Sequence, residues 1–204
     1  MQWLLLALWS YGIWTGKAKA AAIRLGLLSS MGMQLLLLHL DGLFTWEAVL
    51  PLHLCSLFGC LLLFFLHISP PVLVEAVCFL GAPGALLTLF FPAVISCSYP
   101  VLMRLAFYQL HVLVSLAPLY WYACKKPLPN DPRRTLIWGS GYLMCISWFN
   151  RTFGTNYLFL RFAPDDTPLE WLASRGTLFY LCALELLCML VFSFLKPFYA
   201  YLRK

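Results

Sequence analysis

Long apolar runs separated by short polar stretches dominate the pattern of this chain. The runs are continuous rather than alternating, which is typical of membrane helices. Seven runs can be distinguished, at residues 1–15, 22–40, 48–67, 72–95, 101–123, 135–149 and 176–195. The pattern therefore predicts an all-α, polytopic transmembrane helical bundle of about seven spans, built as a single domain over residues 1–204.

The first run is short and has two interpretations. A secretory signal peptide carries positive charge before its apolar core, whereas Lys17 and Lys19 follow the core here. This order favours a membrane span. If the first run is cleaved or not inserted, six spans remain and keep their orientation.

Proline and glycine mark the breaks between and within the runs. Pro70 and Pro71 end the third run, because proline lacks the backbone donor and restricts the residue before it. Residues 81–84, Gly-Ala-Pro-Gly, predict a kink in the fourth run. Residues 125–134 form the clearest loop, and a polar and aromatic connection covers residues 150–175.

Composition places the chain in a membrane. Hydrophobic residues make up 62% of the sequence and charged residues 11%, against about 25% charge in soluble domains. The net charge of +6 comes from basic residues clustered at the ends of apolar runs. Such clusters orient helices and meet anionic lipid, so we expect no nucleic-acid partner.

The basic residues also predict an orientation. With seven spans, ten of them fall on one side of the membrane and four on the other. The richer side collects Lys17, Lys19, Arg24, Lys125, Lys126, Arg133, Arg134, Lys196, Arg203 and Lys204. Because positive loops stay inside, the N-terminus is predicted outside and the C-terminus inside.

The eight cysteines contain no Cys-x-x-Cys pair and fall mostly within apolar runs. They do not predict a disulfide or zinc framework. A metal set of His53, Cys55, His111 and Glu185 is chemically conceivable, but it lacks a paired ligand spacing. We therefore predict no metal site and no cofactor.

A thiol and an imidazole are the candidate reactive groups. Cys55 is expected ~10 Å from the outer end of the third span and His111 ~15 Å along the fifth, at ~1.5 Å per residue. A thiol becomes a useful nucleophile when a base takes its proton. His53 is a poor base for Cys55, because two residues along a helix turn their side chains about 200° apart.

The fifth span carries a polar stripe at helical spacing, formed by Arg104, Tyr108, His111 and Ser115. Lipid would not compensate such a stripe, so it is expected to face the bundle interior. Glu185 is predicted at a similar depth in the seventh span, where it could orient His111.

Each of these residues also has a structural interpretation. A lone membrane cysteine commonly packs as a small apolar side chain. His53 and His111 could tie helices together by hydrogen bonds, and Glu185 could pair with an arginine of the long connection.

Three segments carry a family resemblance: residues 50–56, residues 108–111 followed by 117–120, and residues 150–160. Together they resemble the YwaF-type family of small bacterial integral membrane proteins. The resemblance implies a bacterial cell membrane as the location. Cysteine-dependent lipid acyl transfer has been attributed to eukaryotic relatives, with a membrane cysteine and a histidine as the proposed pair. By motif match, these are Cys55 and His111.

The resemblance implies an acyltransferase or acyl hydrolase acting on a membrane phospholipid or lysophospholipid through a Cys55 thioester, with His111 as general base. Asn150, Arg151 and Asn156 are candidates for contacting the oxyanion or the lipid phosphate. The full set of predicted substrate contacts is Arg104, Tyr108, Asn150, Arg151, Asn156 and Glu185.

Two other functions remain open from the sequence. A small-solute or proton transporter or channel would use the polar stripe and the interrupted fourth run. A non-catalytic lipid-binding protein would use the histidines only to tie helices together.

Overall fold

The structure is a computed structural model, and it describes residues 1–129, 131–163 and 168–202. Within these ranges the chain forms helices, turns and irregular segments, with no strand. Outside these ranges lie Asn130 and residues 164–167, which belong to the predicted loops. Arg203 and Lys204, two of the basic residues predicted on the inner side, also lie outside them. The helices are α1 (Gln2–Trp14), α2 (Ala20–Leu40), α3 (Trp46–Val49), α4 (Leu54–Phe65), α5 (Pro71–Ala76), α6 (Ala82–Phe90), α7 (Pro100–Ala123), α8 (Arg133–Phe153), α9 (Pro168–Ala173) and α10 (Thr177–Leu202). The all-α class is confirmed.

Four stretches in the described ranges are long and apolar enough to cross a membrane: Ala20–Leu40, Pro71–Phe90, Pro100–Ala123 and Thr177–Leu202. Helix α4 is apolar but shorter. Their exposed faces carry large apolar side chains, such as Leu178 and Phe194 on α10. The fold is therefore that of a membrane protein.

The third apolar run, residues 48–67, was predicted as one helix, and this is wrong. A short helix, α3, ends at Val49, and α4 begins only at Leu54. Pro51 offers no backbone donor and disfavours helical geometry at Leu50, whose ψ is 127°. As a consequence, Cys55 is the second residue of α4 rather than a residue deep within a longer helix.

The fourth run continues through its predicted kink. Helices α5 and α6 are joined by a π-helical turn, Val77–Gly81, so that one helix runs from Pro71 to Phe90. Pro83 has no N–H to donate to the preceding turn, and a π turn absorbs such a gap. The run ends at Phe90 and not at residue 95, because residues 91–99 are not helical.

The π turn packs against α4 and α10. A Cβ on Gly81 would lie 2.8 Å from the Phe58 ring of α4. The Tyr199 hydroxyl of α10 donates to the Cys78 carbonyl at 3.1 Å. Close helix approach and a satisfied carbonyl therefore lock the interrupted segment into the bundle.

Helix α7 is the centre of the bundle. It packs against α1, α2, α4, α6 and the π turn, and His111 through Pro118 are all buried. A Cβ on Gly59 of α4 would lie 2.8 Å from Leu110 Cδ1. The helix that carries Cys55 and the helix that carries His111 thus approach each other closely.

Contacts at the helix ends define two ends of the bundle. At one end, which we call end A, Asp41 accepts from the Ser98 backbone and Tyr157 donates to Trp46. At the other, end B, Trp121 Nε1 donates to the Leu66 carbonyl at 2.9 Å. The basic residues Lys17, Lys19, Lys125, Lys126, Arg133 and Arg134 all belong to chain segments at end B.

Candidate functional site

Cys55 lies in the first turn of α4. The N-cap of this helix, His53, forms no side-chain cap, and the first helical bond runs from Leu57 N–H to the His53 carbonyl. The backbone N–H groups of Leu54, Cys55 and Ser56 therefore have no partner within the helix. They give the thiol the partially positive surroundings of a helix N-terminus.

The Cys55 side chain is 8% exposed and belongs to the main apolar core, together with Phe58 and Tyr108. The Thr88 side chain of α6 lies beside the thiol. Thr88 Oγ1 donates its own proton to the Gly84 carbonyl at 3.0 Å. The described residues contain no hydrogen bond between Cys55 and His111.

His111 is 7% exposed and lies about halfway along α7. Its Nδ1 is 2.7 Å from the Phe107 carbonyl oxygen, and the His111 and Phe107 rings are tilted against each other with centroids 4.2 Å apart. A carbonyl only accepts, so Nδ1 carries the proton. In the neutral ring, Nε2 is left with the lone pair that a general base requires.

His53 lies outside the helices, between α3 and α4, and its ring is held by the connection after α8. The ring centroid lies 5.3 Å from that of Tyr157 and 5.6 Å from that of Phe159. The Leu158 N–H donates to His53 Nδ1 at 3.4 Å. Burial lowers the pKa of His53, and the Glu47 carboxylate partly opposes this. His53 also interacts electrostatically with His111.

Tyr157 joins the same connection to α3. Its side chain is fully buried, and its hydroxyl donates to the Trp46 carbonyl at 2.8 Å. Burial raises the pKa of Tyr157, and the Glu47 carboxylate adds to the effect. The phenol therefore stays protonated and keeps its hydrogen bond. Glu47 also accepts from the Asn156 N–H.

The side chains of Asn150 and Asn156 are already engaged. Asn150 is fully buried, donates to the Tyr157 carbonyl at 2.9 Å, and accepts from Thr155 Oγ1 and Tyr157 N–H. Asn156 accepts from the Arg161 and Phe162 backbones and donates to the Phe162 carbonyl. Both amides hold the loop together, and neither side chain offers the oxyanion contact predicted for it without first breaking these bonds.

The remaining residues of the predicted site differ in their solvent exposure. In the stripe on α7, Tyr108, His111 and Ser115 are buried, as expected, but Arg104 is exposed. Arg151 is exposed in the last turn of α8. Glu185 is half-buried on α10, where it acts electrostatically on Cys188, and no hydrogen bond in the described ranges joins it to His111.

Glu75 is a buried carboxylate that was not predicted from the sequence. This carboxylate is 9% exposed on α5 and accepts from both the backbone and the hydroxyl of Thr135. The signal was present, since an ionisable residue within an apolar run needs a partner. Thr88, the partner of Cys55, carried no comparable signal.

No three His, Cys, Asp or Glu side chains converge on a possible metal position in the part of the chain that the structure describes. The conceivable set of His53, Cys55, His111 and Glu185 is thus not assembled around one point.

Comparison with known proteins identifies a family for this chain. No curated protein and no solved structure matches the chain. The motifs that suggested a YwaF-type protein lie within the region matched by one family model, which covers residues 2–196. That model is the one for the TMEM164 family, and the chain belongs to this family.

Proposed function

We propose that this membrane protein is a cysteine-dependent lipid acyltransferase or acyl hydrolase. One observation carries the proposal: Cys55 lies at an uncapped helix N-terminus, on a helix packed closely against the one that presents the unprotonated Nε2 of His111. Uncapped N–H groups, a thiol and a neutral imidazole are the parts that acyl transfer needs.

The reaction begins at the thiol. His111 Nε2 takes the proton as Cys55 Sγ attacks the ester carbonyl of a phospholipid acyl chain. The S–C bond forms, the C–O bond breaks, and His111 returns the proton to the leaving lysolipid oxygen. A second lysolipid hydroxyl or water then attacks the thioester, its proton passes through His111 to the departing sulfur, and the free thiol is restored.

A change of rotamer is part of this mechanism. In the resting protein the Cys55 thiol lies beside Thr88 and makes no hydrogen bond with His111. The thiol turns from Thr88 toward His111 when the acyl chain enters from the bilayer. Because an ionised sulfur among apolar side chains is costly, proton transfer and attack occur together.

The two ends of the bundle indicate how the protein lies in the membrane, from which the lipid substrate enters laterally. We infer seven passes, α1, α2, α4, α5–α6, α7, α8 and α10, with end A outside and end B inside. The basic residues at end B support this orientation, since positive loops stay inside. A bacterial cell membrane and a phospholipid or lysophospholipid partner, without a cofactor, complete the proposal.

Mass spectrometry of the purified protein with an acyl-donor phospholipid tests the function. We expect an acyl group on Cys55 and acyl exchange between added lipids, both lost in Cys55→Ala. Cys60→Ala is the matched control, since Cys60 is a half-buried cysteine of the same helix. Exchange that survives Cys55→Ala would exclude the mechanism.

Transport is a weaker proposal. The interrupted fourth helix would have to line a path, but Val77, Cys78 and Phe79 of the π turn are fully buried and Tyr199 occupies the Cys78 carbonyl. Solute uptake into vesicles that is insensitive to Cys55→Ala would favour it. Lipid binding without any turnover is the remaining outcome, and it would leave Cys55 unacylated.

A further inference from the structure

His53 has a chemical state that its contacts determine. The Leu158 N–H only donates, so His53 Nδ1 accepts. In the neutral imidazole the proton is then on Nε2, which makes Nε2 a hydrogen-bond donor. His111 has the opposite arrangement, because its Nδ1 donates to Phe107 and its Nε2 accepts. Nε2 is thus a hydrogen-bond donor in His53 and an acceptor in His111.

Both Nε2 atoms are available. In the described ranges neither Nε2 atom makes a hydrogen bond. The fully buried side-chain nitrogen and oxygen atoms that lack a partner there are Arg24 Nε and the Tyr180 oxygen, and neither Nε2 atom is among them. The rings are close enough to interact electrostatically, and His53 is two residues before Cys55. His53 is the N-cap residue of α4, so it lies at the same helix start as Cys55.

The backbone around His53 is strained. Leu158 and Phe159 both have φ of 56°, a left-handed conformation that costs roughly 1–2 kcal/mol for each residue with a side chain. This conformation presents the Leu158 N–H to His53 and places the Phe159 ring beside the imidazole. Strain of this kind persists where the surrounding contacts fix it, and it is frequent at functional sites.

We propose that His53 is a catalytic residue that donates a hydrogen bond from Nε2 to the carbonyl oxygen of the acyl group under attack by Cys55. The inference rests on the proposed function and supplies a side-chain donor for the oxyanion, a role for which Asn150 and Asn156 are not free. The oxyanion accepts from His53 Nε2–H, together with the N–H groups at the start of α4. His53 keeps its proton throughout, while His111 alone transfers protons.

Two substitutions separate the two nitrogens of His53. In His53→Asn, the short amide reaches the position of Nδ1, so it keeps an acceptor for Leu158 but has no donor at the position of Nε2. In His53→Gln, the longer amide places an N–H near the position of Nε2. Removing one oxyanion donor typically costs about 10²–10³ in rate.

The experiment compares acylation with alkylation of Cys55 in the full chain in lipid nanodiscs. A fluorogenic thioester acyl donor requires an oxyanion, whereas iodoacetamide alkylates the thiol without one. We expect His53→Asn to lower the acylation rate about 10²-fold with alkylation nearly unchanged, and His53→Gln to restore part of the loss. His111→Ala should lower both rates.

The outcomes are distinct. If the wild type is not acylated above Cys55→Ala, the proposed function fails. If the wild type is acylated and His53→Asn acylates at the same rate, only the role of His53 fails. Equal losses of acylation and alkylation in both His53 variants, with a lowered unfolding temperature, would show a structural role and overturn the proposal.

Discussion

The Glu75 carboxylate accepts two hydrogen bonds from Thr135, from the backbone N–H at 2.9 Å and from the hydroxyl at 3.1 Å, with both residues buried. Thr135 is the third residue of α8, which lacks a side-chain cap at its own N-cap residue, Pro132. A carboxylate from a neighbouring helix therefore caps the N-terminus of α8.

Glu75→Ala should destabilise the protein by about 2–3 kcal/mol, because it leaves a buried N–H and hydroxyl without an acceptor. Glu75→Gln keeps an acceptor oxygen and should cost less. Thermal unfolding in detergent, followed by circular dichroism, measures both. Asp131→Asn is the control, since Asp131 pairs with exposed Arg133 at 3.5 Å and should change stability by less than about 0.5 kcal/mol. Equal effects of Glu75→Ala and Asp131→Asn would contradict the cap.

Gly81→Ala should destabilise the bundle by about 1–3 kcal/mol, because the added methyl group would lie 2.8 Å from the rigid Phe58 ring. Gly32→Ala in α2 meets nothing within 4 Å and should be neutral or slightly stabilising, since alanine favours helix. The two unfolding temperatures, measured in the same detergent, give the comparison. A tolerated Gly81→Ala would mean that α4 and the π turn can separate without cost.

Stability should decrease as the pH is lowered from about 7 toward 5. The pKa of His53 is lowered in the folded protein, so the unfolded chain binds the proton more tightly. The stabilising contribution is complete above the ordinary histidine pKa of about 6.5 and is lost as the pH falls through the folded value. Protonation also places a hydrogen on Nδ1, where Leu158 N–H donates.

Unfolding measured at pH 7.5 and 5.5 tests this dependence. Glu47, Tyr157 and His111 are the titratable groups that interact with His53 or share its cluster. His53→Gln should have a smaller difference between the two pH values than the wild type. An unchanged difference would assign the dependence to another group.

Asn150→Ala should destabilise the connection after α8 more than the bundle itself. It removes three buried hydrogen bonds, to Thr155 and to both backbone groups of Tyr157, which corresponds to about 2–4 kcal/mol. Limited proteolysis should then cleave within residues 154–162 first. Thr152→Ala, which removes only an exposed hydroxyl bond to Trp148, is the matched control and should leave the cleavage pattern unchanged.

The length and continuity of the apolar runs predicted the helical class and the positions of most helices, because these features follow from the run of apolar residues itself. The break before Leu54 depended on Pro51, whose effect the continuous apolar run obscured. The partners of Cys55 depended on packing, since Thr88 lies on a different helix. The states of His53 and His111 followed from single backbone contacts, which residue spacing does not encode.

The π turn at Val77–Gly81 changes the rotation of one half of its span relative to the other. It contains one residue more than an α-helical turn, and each residue corresponds to about 100° of rotation. Deleting a single residue there would restore a regular helix and swing Thr88 away from Cys55 while Glu75 stays bound to Thr135. The additional residue of the π turn therefore allows one span to place Glu75 against Thr135 at end B and Thr88 beside Cys55 at the same time.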